Sequence, residues 1–372
     1  MKLKKTILGL AVLFLASGTL SGCSGAAGAS QANENLDLNS MKVEEIVEQA
    51  KKEGDIQSVG MPDTWADWKD TWEGIQSDYS ISHTDTDMSS AEELALFESE
   101  KSNPTKDIGD VGQSFGPVAM EKGLSLPYKT SYWDEIPDWA KDKDGNYLIS
   151  YTGTISIITN TNKVKNPPKS FEDLLSGNYK ITIGDVNSAT QAQNAVLSAA
   201  FANGGDETNL KPGLDFFAQI AEQGRLDLGD TSLARLENGE IEVGLFWDFN
   251  SLNYRDAVES QNSNQKFEVC IPSDGAVQSG YTTIINRYAP HPHAAALARE
   301  YILSDKGQIN LAKGYARPIR SNVKLPEEIK GKLLPDDMYK NVYQIKDTKA
   351  WDKAAKELGQ NWQNEVLSKI KK

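Results

Sequence analysis

The chain has 372 residues, 39% of them hydrophobic and 25% charged, which marks a globular protein large enough for about two lobes rather than a disordered one. Its formal charge of −14 disfavours a nucleic-acid groove or adhesion to an anionic lipid surface, though a local anion site remains open to it. Only two cysteines, Cys23 and Cys270, are present, so a disulfide-rich scaffold is excluded.

In chain order, Lys2, Lys4 and Lys5 precede the apolar run Ile7 to Leu15, and Leu20-Ser21-Gly22-Cys23 follows. A basic start, a short apolar stretch and small residues describe a secretory signal over residues 1–22, too short for a membrane span. The Leu-Ser-Gly-Cys end resembles a bacterial lipobox, which implies that Cys23 is lipid-modified. Residues 23–40, rich in Ala, Gly, Ser and Asn, read as a flexible tether. The expected location is therefore the outer face of a cell membrane, extracellular or periplasmic. No later stretch reaches spanning length, and Cys270, inside an apolar strand-like run, reads as a buried core residue.

Periodicity predicts a helix over 41–53, a strand over 55–61, a helix from Trp65 to about Ser77, a strand over 79–85, a helix over 91–101 and a strand over 107–111. This alternation predicts a largely parallel sheet with helices between its strands. A β-branched run over 147–159 carries Gly153 inside it. Further strands are expected over 180–184, 241–246, 267–271 and 281–285. Helices are expected over 190–202, 214–223, 293–303, 306–313 and near 351–370. No fixed-period repeat is present.

Chemistry-bearing motifs are few. There is no phosphate loop and no cofactor signature, so no cofactor is expected. Gly112-Gln113-Ser114-Phe115-Gly116 matches a nucleophile elbow after a strand, which would make the chain an exported hydrolase with Ser114 as nucleophile. It would need one of His83, His291 or His293. Pro290-His291-Pro292-His293 reads as a turn before a helix, and His83 to Asp87 lacks the Gly and distal Glu of a calcium loop, so no metal site is expected.

Strand ends carry the remaining signal, because ligands of open α/β sheets sit there beside helix starts. Asp63, Asp110, Asp185 and Asp248 offer counter-charges, and Trp65 and Trp247 offer stacking faces, a set suited to an organic cation. Thr64 and Tyr281 lie in the same kind of position. Ser89, Ser90, Ser114, Thr152, Gly153, Thr154 and Ser188 supply hydroxyls and backbone groups that would suit an anion instead, with Arg317 as counter-charge. Each also has a plain structural role: Asp at a strand end often caps a helix, and Trp is often core.

The ordered set Asp107-Ile108-Gly109-Asp110-Val111-Gly112, Tyr151-Thr152-Gly153-Thr154-Ile155, Val243-Gly244-Leu245-Phe246-Trp247-Asp248 and Ala289 to Arg320 resembles extracellular solute-binding proteins of ABC importers. The likeness is to the group with polyamine-, ferric-iron- and aminoethylphosphonate-binding members. It implies a two-lobed α/β fold of the type II periplasmic-binding-protein kind, with mixed sheets flanked by helices and a hinge. It implies lobe 1 over 41–152 and 280–320, lobe 2 over 153–279, and C-terminal helices over 321–372 packing on the lobes. It further implies a monomer without enzymatic activity that passes a small solute to a membrane permease. The strand-end Trp and Asp set favours a polyamine-like cation; an anion such as aminoethylphosphonate or a carboxylate is the alternative. Ferric iron, the other alternative, is disfavoured by the absence of a Tyr-Tyr pair. A surface adhesion module, which would not close on a ligand, is the remaining rival.

Overall fold

A computed structural model describes Asn33 and residues 35–370. The signal segment and Cys23 lie outside the described residues. The strands are β1 Asp55–Val59, β2 Ser82–Thr86, β3 Ile108–Gly112, β4 Leu148–Asn160, β5 Ile181–Thr182, β6 Leu226–Asp227, β7 Val243–Trp247, β8 Phe267–Cys270, β9 Ala276–Ile285, β10 Arg317–Pro318 and β11 Val342–Gln344. Along the sheet their order is β2-β1-β3-β9-β4-β7-β5-β6, with β10 and β8 also on β4 and β11 on β9.

The first strands pair in parallel, β2 on β1 and β1 on β3, as helical crossovers dictate. The sheet as a whole is mixed rather than largely parallel. β9 runs antiparallel to both β3 and β4, and β4 runs antiparallel to β7 and β8. Two long strands entering from opposite directions impose this, and pairings local to each expected strand carry no sign of it.

β4 is the spine. All thirteen of its residues are buried, as in a strand covered on both faces. Its first part, to Thr154, pairs with β9, and its second, from Ile155, pairs with β7. The change of partner divides the sheet into two halves with helices on both sides. β9 makes the return crossing; it begins at Ala276, five residues before the expected Tyr281, and its first residues pair with β11.

Helix ends follow local chemistry. Gly54, at φ +71°, ends the helix Val43–Glu53 in a left-handed turn that glycine adopts without strain. The next helix begins at Trp68, not at Trp65, because Ala66 and Asp67 are both left-handed, at φ 49° and 55°. The helix Thr190–Ala202 occupies its expected span, buried on nearly every side. Two helices unanticipated from periodicity, Phe115–Glu121 and Asp248–Gln261, follow β3 and β7.

The expected tether is in part packed structure. The Asn33 side-chain amide donates to the carbonyls of Arg287 and Ala289, and Leu38 is fully buried in the core. At the other end, β11 joins β9, and the helix Thr348–Glu365 lays Trp362 against Phe217, ring centroids 5.3 Å apart. His83 to Thr86 lies in β2, paired with β1, and Asp87 follows the end of that strand. Cys270 is buried in β8, where desolvation pushes its thiol up to about 11.

Candidate functional site

The carboxyl ends of β1, β2 and β3 face helix starts of the other half of the sheet across a cavity of about 580 Å³. From the first half come Thr64 and Trp65 after β1, Ser89 and Ser90 after β2, and Asp110 on β3. From the other come Thr190 and Gln191 at a helix start, the turn Asp230 to Leu233, and Tyr254 on the helix after β7. Tyr281 on the return strand lines its floor.

An aromatic cluster forms that floor. Trp65 stands edge-on to both Tyr281 and Phe249, each 5.3 Å away between centroids. Tyr281 stacks on Tyr151 at 5.6 Å. A donor chain runs through it: Trp65 Nε1–H donates to Tyr151 Oη at 2.8 Å, and Tyr151 Oη–H donates to Asp110 Oδ2 at 2.5 Å. Asp110 Oδ1 is buried without a hydrogen bond of normal geometry, and the Trp68 indole N–H, likewise unbonded, is its neighbour.

Five carboxylates line the cavity, and among the described residues no Lys, Arg or His does. Two are deep. Desolvation holds the Asp110 carboxyl well above the ordinary range, with Asp85 repelling it further. Glu93 is raised by burial and then by Asp110; its Oε2 accepts the Asp110 N–H at 3.1 Å. Gly60, at φ +70°, leaves room for that carboxyl: a Cβ there would sit 2.3 Å from Glu93 Oε1. The other three, Asp87, Glu92 and Asp230, are exposed at the rim. Glu92 is held below its usual value by hydrogen bonds from the Ser89 hydroxyl and N–H.

The two halves touch. Ser90 Oγ lies 3.4 Å from Thr190 Oγ1, Asn253 Nδ2 donates to the Thr64 carbonyl, and the Tyr315 hydroxyl donates to Asp256. The cleft is therefore closed.

Of the residues expected at the site, Thr64, Trp65, Ser89, Ser90, Asp110 and Tyr281 line this cavity. The others lie elsewhere. Asp63 is exposed at the outer turn. Trp247 is wholly buried and donates from Nε1 to Tyr281 Oη at 3.1 Å, so it offers no open stacking face. Asp248 is buried behind the hinge, accepting from the N–H groups of Thr154 and Phe249 and from the Tyr339 hydroxyl. Asp185 closes its own turn on Asn187 and Ser188. Gly153 packs under the Phe249 ring, where a Cβ would lie 2.5 Å from Cε1. Thr152 borders a separate cavity beside the C-terminal segment, Thr154 is fully buried, and Ser114 lines a smaller compartment. Arg317 stacks on Tyr339 at 3.9 Å instead of facing the cavity.

Ser114 has no catalytic partner among the histidines. His83 Nε2 is 2.8 Å from Ser58 Oγ, His291 Nδ1 is 3.0 Å from Asp107, and His293 Nδ1 is 2.6 Å from Glu53. Among the described residues no group of three His, Cys, Asp or Glu side chains is arranged to hold a metal ion.

Two sheet halves joined by crossing strands, closed over a cavity at their strand ends, define a two-lobed receptor for a small solute. The chain belongs to the bacterial extracellular solute-binding proteins: the model of that family matches residues 103–342. Members of this family are transport receptors, not enzymes, which bind small molecules for ABC permeases. No curated protein matches the sequence. Among solved structures, the chain is similar to the periplasmic binding protein AfuA from Actinobacillus pleuropneumoniae, with fructose-6-phosphate bound. That likeness has 18% identity and a TM-score of 0.69 over 84% of this chain and 98% of that one. It is also similar to iron-bound HitA from Pseudomonas aeruginosa, at 14% identity and TM-score 0.65 over 83% of this chain and 99% of that one. MotA from A. tumefaciens B6, in complex with glucopine, matches at 18% identity and TM-score 0.66 over 84% and 99%. Such identities establish the fold alone.

Proposed function

We propose that this receptor captures a small organic cation of the polyamine type and delivers it to a membrane permease. The observation that carries the reading is the five carboxylates around an aromatic floor, with no cationic side chain among the described residues opposing them. Aromatic faces attract ammonium groups, and a buried carboxylate oxygen without a partner gains most from one. Asp110 Oδ1 is that oxygen, Trp65 and Tyr281 are the faces, and Asp87, Glu92 and Asp230 draw the solute to the mouth.

The anion reading has a specific support, since helices starting at Ser90 and Thr190 border the cavity. Two helix starts supply roughly +1 of charge in all. The three rim carboxylates outweigh them. Ferric iron is disfavoured, as in the sequence, by the absence of a Tyr-Tyr pair.

In this reading lobe 1 comprises 41–152 and 280–320, lobe 2 comprises 153–279, and the partner change at Thr154 and Ile155 marks the hinge. A lipid on Cys23 holds a monomer to the outer membrane face. Calorimetric titration of the full chain with putrescine, spermidine, aminoethylphosphonate and ferric citrate tests the reading. Saturable heat with a polyamine is expected. Heat only with the phosphonate or the iron complex removes it.

A further inference from the structure

Beyond the Ser90–Thr190 contact the cleft continues into a second compartment of about 260 Å³. Ser114 and Phe115 line it from one side, Asn187 and Gln193 from the other, and the helix Thr348–Glu365 closes it with Asp352 and Lys356. The elbow-like Gly112–Gly116 segment delivers Ser114 here, away from the cation cavity.

Ser114 Oγ and Gln193 Oε1 are both buried, at 5% and 4% exposure, and neither has a hydrogen-bond partner. A buried polar group left unpaired costs about 1–3 kcal/mol, so two facing one compartment is an unusual expenditure of stability. Their chemistry is complementary: one is a hydroxyl free to donate, the other a carbonyl oxygen that can only accept. The helix adds two charged groups that do not bond each other. Lys356 lies 3.9 Å from Glu121 rather than bonding Asp352, and burial pushes the Asp352 carboxyl up to about 6 despite the lysine.

The lining of the compartment thus includes an ammonium, a carboxyl, a spare donor and a spare acceptor. A zwitterion satisfies all four: its carboxylate meets Lys356 and Ser114, its ammonium meets Gln193 and Asp352. The volume equals that of about nine waters, room for a molecule of the size of glycine or alanine. We propose that this compartment is a second binding site, for a small zwitterionic amino acid, separate from the cation cavity. Because both halves of the cleft and the C-terminal helix build it, an occupant there favours the closed state.

Calorimetry on the full chain with glycine and with alanine as probes tests this. Saturable binding in the millimolar range is expected, weakened about tenfold or more by Gln193→Leu, Lys356→Gln and Ser114→Ala, and retained in Asp110→Asn. Ser114→Ala removes only an unpaired hydroxyl, and thermal melts verify that each variant is folded. No saturable heat with either probe overturns the proposal. So does binding that survives Lys356→Gln and Ser114→Ala but vanishes in Asp110→Asn, which would place the amino acid in the larger cavity. Putrescine titration of the same samples reads the cation cavity, so either site can fail without the other.

Discussion

Gly112 and Thr190 meet across the cleft so closely that a Cβ on residue 112 would lie 2.0 Å from Thr190 Oγ1. The closed state therefore requires a residue without a side chain at the end of β3. Gly112→Ala is expected to hold the cleft ajar. Overpacking of this kind costs about 1–3 kcal/mol, a loss of solute affinity of about 5- to 150-fold. Solution scattering should show the variant remaining expanded at solute concentrations that compact the parent; equal compaction would refute the steric argument.

Asp110→Asn removes the unpaired carboxylate oxygen but keeps the shape. Polyamine affinity should fall by about 2 kcal/mol, roughly thirtyfold. Stability should move the other way. The folded-state carboxyl titrates above its unfolded value, so the folded protein holds that proton more tightly. Wild-type stability is then lost as pH rises from the unfolded value of 3.8 through the raised one. The variant should melt higher than wild type near neutrality, and the gain should shrink towards acid pH. A lower melting point near neutrality would contradict this.

Cation binding should be linked to proton release. Asp110 is raised by burial and by Asp85, Glu93 by burial and by Asp110, and a bound ammonium favours their ionised forms. Affinity should climb with pH until both are ionised in the free protein. Calorimetry in buffers of different ionisation enthalpy measures the protons released; a pH-independent affinity would count against the deep pair as the anchor.

Trp65→Phe retains a ring but deletes the N–H that supports Tyr151 and, through it, Asp110. A loss of about 1 kcal/mol in polyamine binding is expected, with a larger one for Trp65→Ala. Identical affinities for the two variants would mean that the donor chain, not the ring, is what matters.

Cys270 should resist thiol reagents in the folded protein and react once denatured, since burial pushes its thiol up to about 11. Rapid labelling under native conditions would show that β8 opens.

Much of the scaffold is legible in the sequence. The helix Thr190–Ala202 is bounded by Ala189 and the Asn203-Gly204 stop, and local pattern suffices there. The helix Asp248–Gln261 is not legible, because its buried residues cluster at its start and its remainder is polar. That omission hides Tyr254, which lines the cavity. The strand-end rule brings Trp65, Asp110 and Ser90 to one cavity, since their strands are parallel and end at the same edge. It misplaces Trp247 and Asp248 because β7 lies beside β4, where neighbouring strands and Tyr339 bury its end. Glu93 carries no signal of its own: in so acidic a chain, a carboxylate one turn into a helix looks like any other.

β11 adds a parallel strand to the start of β9, and the helix Thr348–Glu365 lays Trp362 over Phe217 in the other half. Residues from β11 onward therefore tie the return strand to a helix of the second half of the sheet. Peeling that segment away would bare the Phe217 ring and remove the parallel pairing at the start of β9 together.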